Sequence, residues 1–331
     1  MSLSPQKSLI AEIADGVFQL PGRLSLHHGG SLEQPRIAWR LAGDAGAPVA
    51  VALGGISSNR CVFDAANPRA GWWHEVAGPG LALDSRRLRI LGIDYLGGSG
   101  DSTGPAEGGM FPSLSTYDQA RALSQLLAHL QIPKVRAIVG ASYGAMVGLA
   151  FGERHPTQVE RLILISGADR AHPLATAWRS VQRRLVRFAL AGGRGAEGLE
   201  LARALAMATY RSPAEFEQRF AAPPQQTDGR FVFPVEDYLF ARGRDYAARY
   251  LPESFLCLSE SIDLHSVDAR RVTTPASVIA VREDQLVPVA DLRALASRLP
   301  DATLHELSSL CGHDAFLKEA AQLQPIFQIL Y

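Results

Sequence analysis

Three side chains that together can activate a hydroxyl lie far apart in the chain. They are a serine within Gly140-Ala141-Ser142-Tyr143-Gly144, an aspartate, Asp284, closing the run ASVIAVRED, and a histidine, His313, in SSLCGHDAF. A serine hydroxyl is a weak nucleophile at neutral pH. It attacks an acyl carbon when a histidine takes its proton, and a carboxylate holds that histidine in the productive tautomer. The chemistry implied is a covalent acyl-serine, with Ser142 as nucleophile, His313 as base and Asp284 orienting the base. Glu283 and Asp263 are rival acids. Other histidines stand in less telling places, His155 before Pro156 at a helix end and His129 within an amphipathic helix.

The pentapeptide follows the strand-like RAIVG and runs into the helical AMVGLAFGERHP. G-x-S-x-G between a strand and a helix is the arrangement that projects a serine from a tight turn, with glycines leaving room on either side. A merely structural glycine turn needs neither neighbour. An acyl-transfer intermediate also needs two backbone donors for its oxyanion. The Tyr143 amide supplies one, and the loop Leu53-Gly54-Gly55-Ile56-Ser57 the other, through Gly55 or Ile56. The glycine-rich stretch from Gly97 to Gly104 has no P-loop lysine and does not complete G-x-G-x-x-G, so it is read as a shaped loop beside the site.

Such residues must be positioned by a scaffold. Short apolar runs (PVAVALGG, LRILGIDYLG, RAIVGA, RLILISG, ASVIAVRED) alternate with helical segments such as TYDQARALSQLLAHLQ, which predicts a parallel sheet covered on both faces. VFQLPGRLSL and PRIAWRLAG read as an antiparallel hairpin at the sheet edge, and DAFLKEAAQLQPIF as a closing amphipathic helix. Between about 171 and 250 strand-like runs give way to Arg- and Ala-rich helical sequence. The expectation is an α/β-hydrolase fold, a mostly parallel central sheet flanked by helices. Residues 1–170 and 251–331 form its core and 171–250 a helical lid.

Composition narrows the partners. Thirty-three basic and thirty-three acidic residues leave no field to attract nucleic acid or an anionic membrane, so a small-molecule substrate is expected. Cys61, Cys257 and Cys311 are too scattered for a zinc site or a disulfide framework, which suits a cytoplasmic enzyme without a metal. The opening MSLSPQKSLIAEIADGVF lacks the apolar core of a signal peptide, and no apolar run reaches bilayer length.

Several blocks carry a family resemblance: the elbow, LGGSGDSTGP before FPSLSTYDQARA, ATAWRSVQRR, LARALAMATYRSPAEFEQRF, VEDYLFARGRDYAARYLPESFLCLSESIDLHSVD and SSLCGHDAFLKE. From about 36 to 317 the chain resembles the homoserine O-acyltransferases, both O-acetyl- and O-succinyltransferases, of methionine biosynthesis. It departs from them at Ala141, Tyr143 and Leu53, where glycine, methionine and histidine are usual, and in a shorter lid. The resemblance implies acylation of Ser142 by succinyl-CoA or acetyl-CoA as co-substrate, then transfer to L-homoserine, with no tightly bound cofactor, in a homodimer. Arg183 and Tyr210 of the lid and Asp314 would bind the amino acid, although Arg179, Arg183 and Arg187 share a face that a solvated helix would also show, and Asp314 suits a helix cap. Arg60 is a candidate cation for a succinyl carboxylate and tilts the donor to succinyl. A serine O-acyltransferase and a plain serine esterase are the alternatives.

Overall fold

The computed structural model describes residues 12–67 and 69–331; the first eleven residues, with most of the segment scanned for a signal peptide, lie outside them. Eight strands form the central sheet: β1 (Glu12–Gln19), β2 (Arg36–Gly43), β3 (Val49–Leu53), β4 (Arg89–Ile93), β5 (Ala137–Ala141), β6 (Leu162–Ile165), β7 (Ala276–Val281) and β8 (Ala302–Leu307). Their order is β1-β2-β4-β3-β5-β6-β7-β8, antiparallel from β1 through β4 and parallel from β4 through β8. The expected edge hairpin is thus the β1–β2 pair, with a small hairpin, Arg23–Ser25 against Ser31–Glu33, inserted between its strands.

Continuous apolar runs make sense because both faces are covered. Val51, Leu53, Ile138, Leu162 and Leu164 enter one core with helices α1 (Thr116–His129) and α2 (Tyr143–Arg154). Their neighbours Ala50, Ala52, Val139, Ile163 and Ile165 enter the other, with Trp73, Phe316 and Phe327. This is the period-2 alternation of a sheet. The Trp73 indole N–H donates to the Phe316 carbonyl at 2.7 Å, tying the 61–84 excursion to the segment after His313.

The lid is larger than its sequence boundary. Helices α3 (Pro173–Ala191), α4 (Gly195–Tyr210), α5 (Pro213–Phe220), α6 (Pro234–Ala247) and α7 (Pro252–Asp263) precede β7, so helical sequence continues past 250 to Asp263. Val186, Leu199, Ala202, Tyr246 and Phe255 give α3, α4, α6 and α7 a core of their own, while Leu258 of α7 enters the core of the sheet and α1, so α7 joins the two. Strands do not vanish there either: Gln225–Thr227 pairs with Arg230–Val232 across Asp228-Gly229, both with positive φ. That dipeptide is a hairpin-turn signal. The expected closing helix is broken. After α8 (Val289–Arg298) come α9 (Ala315–Lys318) and α10 (Ala320–Phe327), separated at Glu319, whose ψ is 45°.

Candidate functional site

Ser142 leaves β5 with φ 55°, a left-handed conformation forced by the turn into α2. Room for that turn comes from its neighbours: a Cβ on Gly140 would lie 2.3 Å from the Gly144 carbonyl oxygen, and one on Gly144 2.2 Å from that of Leu53. His313 Nε2 stands 2.9 Å from Ser142 Oγ, and His313 Nδ1 lies 2.7 Å from Asp284 Oδ2. The other Asp284 oxygen, Oδ1, accepts from the amides of Leu286 at 2.8 Å and Val287 at 3.0 Å, so the carboxylate cannot rotate freely. The three sequence candidates, 29 and 171 residues apart by hydrogen-bonded pair, form one relay.

The rival acids are committed elsewhere. Glu283 accepts from Ser308 Oγ and the Ser309 amide, while Asp263 pairs with Arg179 and Arg183. Burial disfavours the His313 imidazolium. The charge of Asp284, its hydrogen bond and the nearby Asp314 outweigh burial and hold the His313 pKa above its ordinary value. A base must be neutral to accept a proton. Activity is therefore expected to fall with acidification through an inflection above about 6.5. Asp314→Asn should move it to lower pH, read from kcat/KM between about pH 5 and 9; an inflection that stays put would sever Asp314 from the base.

Opposite the relay, Gly144 N donates to the Gly54 carbonyl at 2.9 Å, and the Tyr95 hydroxyl donates to the same oxygen at 2.8 Å. Ser58 Oγ donates to the Gly55 carbonyl at 2.8 Å. These contacts fix the loop after β3. Gly55 and Ile56 line the cavity, and among the described residues their amides meet no protein acceptor. The Tyr143 amide is in the first turn of α2, where helical N–H groups have no partner in the helix. Three free amides thus border Ser142. The Tyr143 side chain is buried, its hydroxyl 2.7 Å from Ser261 Oγ. The Gly97–Gly104 loop does not line the cavity; its Asp101, together with Asp94 at the end of β4, holds Arg60 just beyond the loop after β3.

That placement removes Arg60 from the site. Its guanidinium is spent on Asp94 and on Asp101 at 2.6 Å, and it is not a cavity residue. Arg183 also differs from expectation. Buried beneath the cavity wall, it donates to Asp263 at 2.6 Å and to the Ser259 carbonyl at 2.9 Å, and Trp178, Arg179 and Gln182 take the lining positions on α3. Tyr210 and Asp314 do line the cavity, Tyr210 with its ring centroid 5.8 Å from that of His313. Asp314 makes no capping hydrogen bond to α9; Arg211 Nε lies 3.2 Å from it.

Arg203 was not singled out by sequence reasoning. It lines the cavity, its guanidinium 5.1 Å from the Tyr210 ring centroid and 4.8 Å from that of Tyr246, and among the described residues no carboxylate pairs with it. A signal for it existed. Arg203 precedes Tyr210 by seven residues, two helical turns, and so shares its face of α4. The cavity, about 190 Å³, is thus lined by Ser142 and His313, by Gly55 and Ile56 with their free amides, by the Asp314 carboxylate and by the Arg203 guanidinium.

The α/β-hydrolase fold family matches residues 54–320. The homoserine O-succinyltransferase of Xanthomonas campestris pv. campestris is 44% identical over 305 residues, 92% of this chain and 80% of that one. The chain belongs to the homoserine O-acyltransferase family of the α/β-hydrolase fold, and it is an acyltransferase. The serine O-succinyltransferase of Litchfieldella anticariensis is 33% identical over 351 residues, covering 93% of this chain and 96% of its own. In three dimensions the homoserine O-acetyltransferase of Bacillus anthracis superposes with a TM-score of 0.85 at 17% identity, over 97% of this chain and 98% of that one, a likeness of fold. Among the described residues no helix is long and apolar enough to cross a membrane, and no cluster of three or more His, Cys, Asp or Glu is placed to hold a metal.

Proposed function

We propose that this acyltransferase carries an acyl group from acyl-CoA, succinyl-CoA in preference to acetyl-CoA, to the hydroxyl of L-homoserine. It does so through an acyl-serine on Ser142 and without a tightly bound cofactor, as a step of methionine biosynthesis. One observation carries the reading: a single cavity joins the Ser142–His313–Asp284 relay to Asp314, Arg203 and Tyr210. A carboxylate and a guanidinium lining one cavity match the ammonium and carboxylate of an amino acid, with Asp314 shared between that cavity and Arg211 at 3.2 Å.

His313 Nε2 takes the Ser142 proton as Oγ attacks the thioester carbon. The amides of Tyr143 and of Gly55 or Ile56 receive the oxyanion. The C–S bond then breaks and the thiol leaves with the proton. The acceptor hydroxyl next gives its proton to His313, attacks the ester carbon and expels Ser142 Oγ, which recovers that proton.

Support for a succinyl donor no longer comes from Arg60. It comes from α3, where two guanidinium groups, Arg179 and Arg183, share the single carboxylate of Asp263 and leave one net positive charge at the cavity wall. L-serine is the second reading for the acceptor, because one methylene is worth only about 1 to 3 kcal/mol of discrimination, and one relative uses it by name. Thiol release from succinyl-CoA and acetyl-CoA, each with and without L-homoserine or L-serine, tests all of this. Release that needs homoserine supports the reading; faster release with serine redirects the acceptor. Steady release without any acceptor makes the protein an esterase.

The free thiols fit a cytoplasmic location. Leu174, Val181 and Phe188 recur every seven residues on the open face of α3, at 50%, 53% and 77% exposure, which supports a homodimer packed through the lid. Sedimentation velocity at micromolar concentration should return twice the chain mass, and a monomer would refute the dimer.

A further inference from the structure

Ser166 is the first residue beyond β6, beside Ser142 in the sheet. Ser142 N donates to the Ile165 carbonyl at 2.8 Å, and Ser166 N donates to that of Ile279 at 3.0 Å. Both serines hold left-handed backbone, φ 55° at Ser142 and 49° at Ser166. At Ser142 the turn into α2 explains it. No helix follows Ser166. The Ser166 side chain is fully buried, lines the cavity, and its Oγ finds no hydrogen-bond partner among the described residues.

An orphaned buried hydroxyl and a left-handed serine each cost stability, and such costs persist where a bound ligand recovers them. The groups that match a zwitterion stand elsewhere, on the lid and after His313. Ser166 lies on the sheet floor, with Met146 of α2 and Leu286 and Val287 after β7 among the other wall residues. The nearest occupant of that floor is an acyl chain esterified to Ser142. Adjacent strands are spaced about 4.8 Å apart. A four-carbon chain spans that distance and a two-carbon chain does not.

We propose that Ser166 is a specificity-determining residue of the acyl pocket, its hydroxyl donating to the far carboxylate of a dicarboxylic acyl chain held on Ser142. Arg179 supplies the charge for that carboxylate and Ser166 the directed hydrogen bond. The assignment rests on the acyl-transfer reading above and goes beyond it in naming the residue that separates donors.

The test is single-turnover thiol release without acceptor, from succinyl-CoA, from butyryl-CoA, which replaces the carboxylate by a methyl of similar size, and from acetyl-CoA. Ser166→Ala should lower the succinyl-over-butyryl ratio of acylation rates about ten- to a hundredfold, the worth of a hydrogen bond to a charged group. Ser166→Gly, which also relieves the positive φ, should lower it equally and guards against a folding defect in the alanine variant. An unchanged ratio in both overturns the assignment, as does wild-type release from acetyl-CoA alone. If the unaltered enzyme frees no thiol from any donor, acyl transfer itself fails, and Ser166 with it.

Discussion

Ser142→Ala is expected to reduce kcat for acyl transfer by on the order of 10⁴- to 10⁶-fold, with little change in thermal stability. The oxygen removed is the atom that forms the covalent bond, so no neighbour substitutes for it. His313 would then face a methyl group in place of a hydroxyl at 2.9 Å. The residual rate would come from the free amides and from holding the two substrates together. Stability should barely change because Ala tolerates the left-handed turn about as poorly as Ser and because the elbow is fixed mainly by Gly140 and Gly144. The direct readout is mass spectrometry of enzyme quenched after mixing with donor alone. An acyl adduct on the wild type that is absent from the variant is expected. An adduct surviving on the variant would place the nucleophile elsewhere.

Asp284→Asn should cost about 10⁴-fold in kcat, nearly as much, through proton placement alone. Two backbone amides, of Leu286 and Val287, point at Asp284 Oδ1. In the asparagine variant they select the carbonyl oxygen for that position and turn the amide NH₂ toward His313 Nδ1. A donor facing Nδ1 makes that nitrogen an acceptor and moves the ring proton to Nε2. Nε2 then donates to Ser142 and cannot take its proton. The same substitution removes the main charge that raises the His313 pKa, so the acid limb of the pH profile should also shift down. Retention of more than about a tenth of wild-type kcat would show that Asp284 does not set the tautomer, and Glu283 would be the next acid to change.

The substrate-binding residues show where local reasoning runs out. Arg183 and Arg60 were chosen because an arginine in the right block can meet a carboxylate. Each instead meets one from its own chain, Asp263 lying 80 residues from Arg183 and Asp94 lying 34 from Arg60. Which guanidinium remains open is decided by where the fold places the carboxylates. Arg203 stays open because its neighbours on α4 and α6 are the rings of Tyr210 and Tyr246. The lid boundary failed for a related reason. The sequence around α7 does not say whether it packs on the sheet or on α3, and the helix does both, with Phe255 in the lid core and Leu258 in the core beneath.

The sequence by itself determined the parallel sheet, through continuous apolar runs of strand length, and the elbow, because glycines are required at 140 and 144 wherever the rest of the chain lies. It also determined the order Ser142, Asp284, His313, since the ends of consecutive parallel strands fall on one edge of the sheet. Those are consequences of backbone sterics and periodicity, which act within a few residues. Tertiary structure alone decided which arginines face the cavity, how far the lid extends, and that Ser166 carries an unpaired hydroxyl beside Ser142. Burial and ion pairing depend on residues brought together from distant parts of the chain, and no local pattern encodes which of several possible partners arrives.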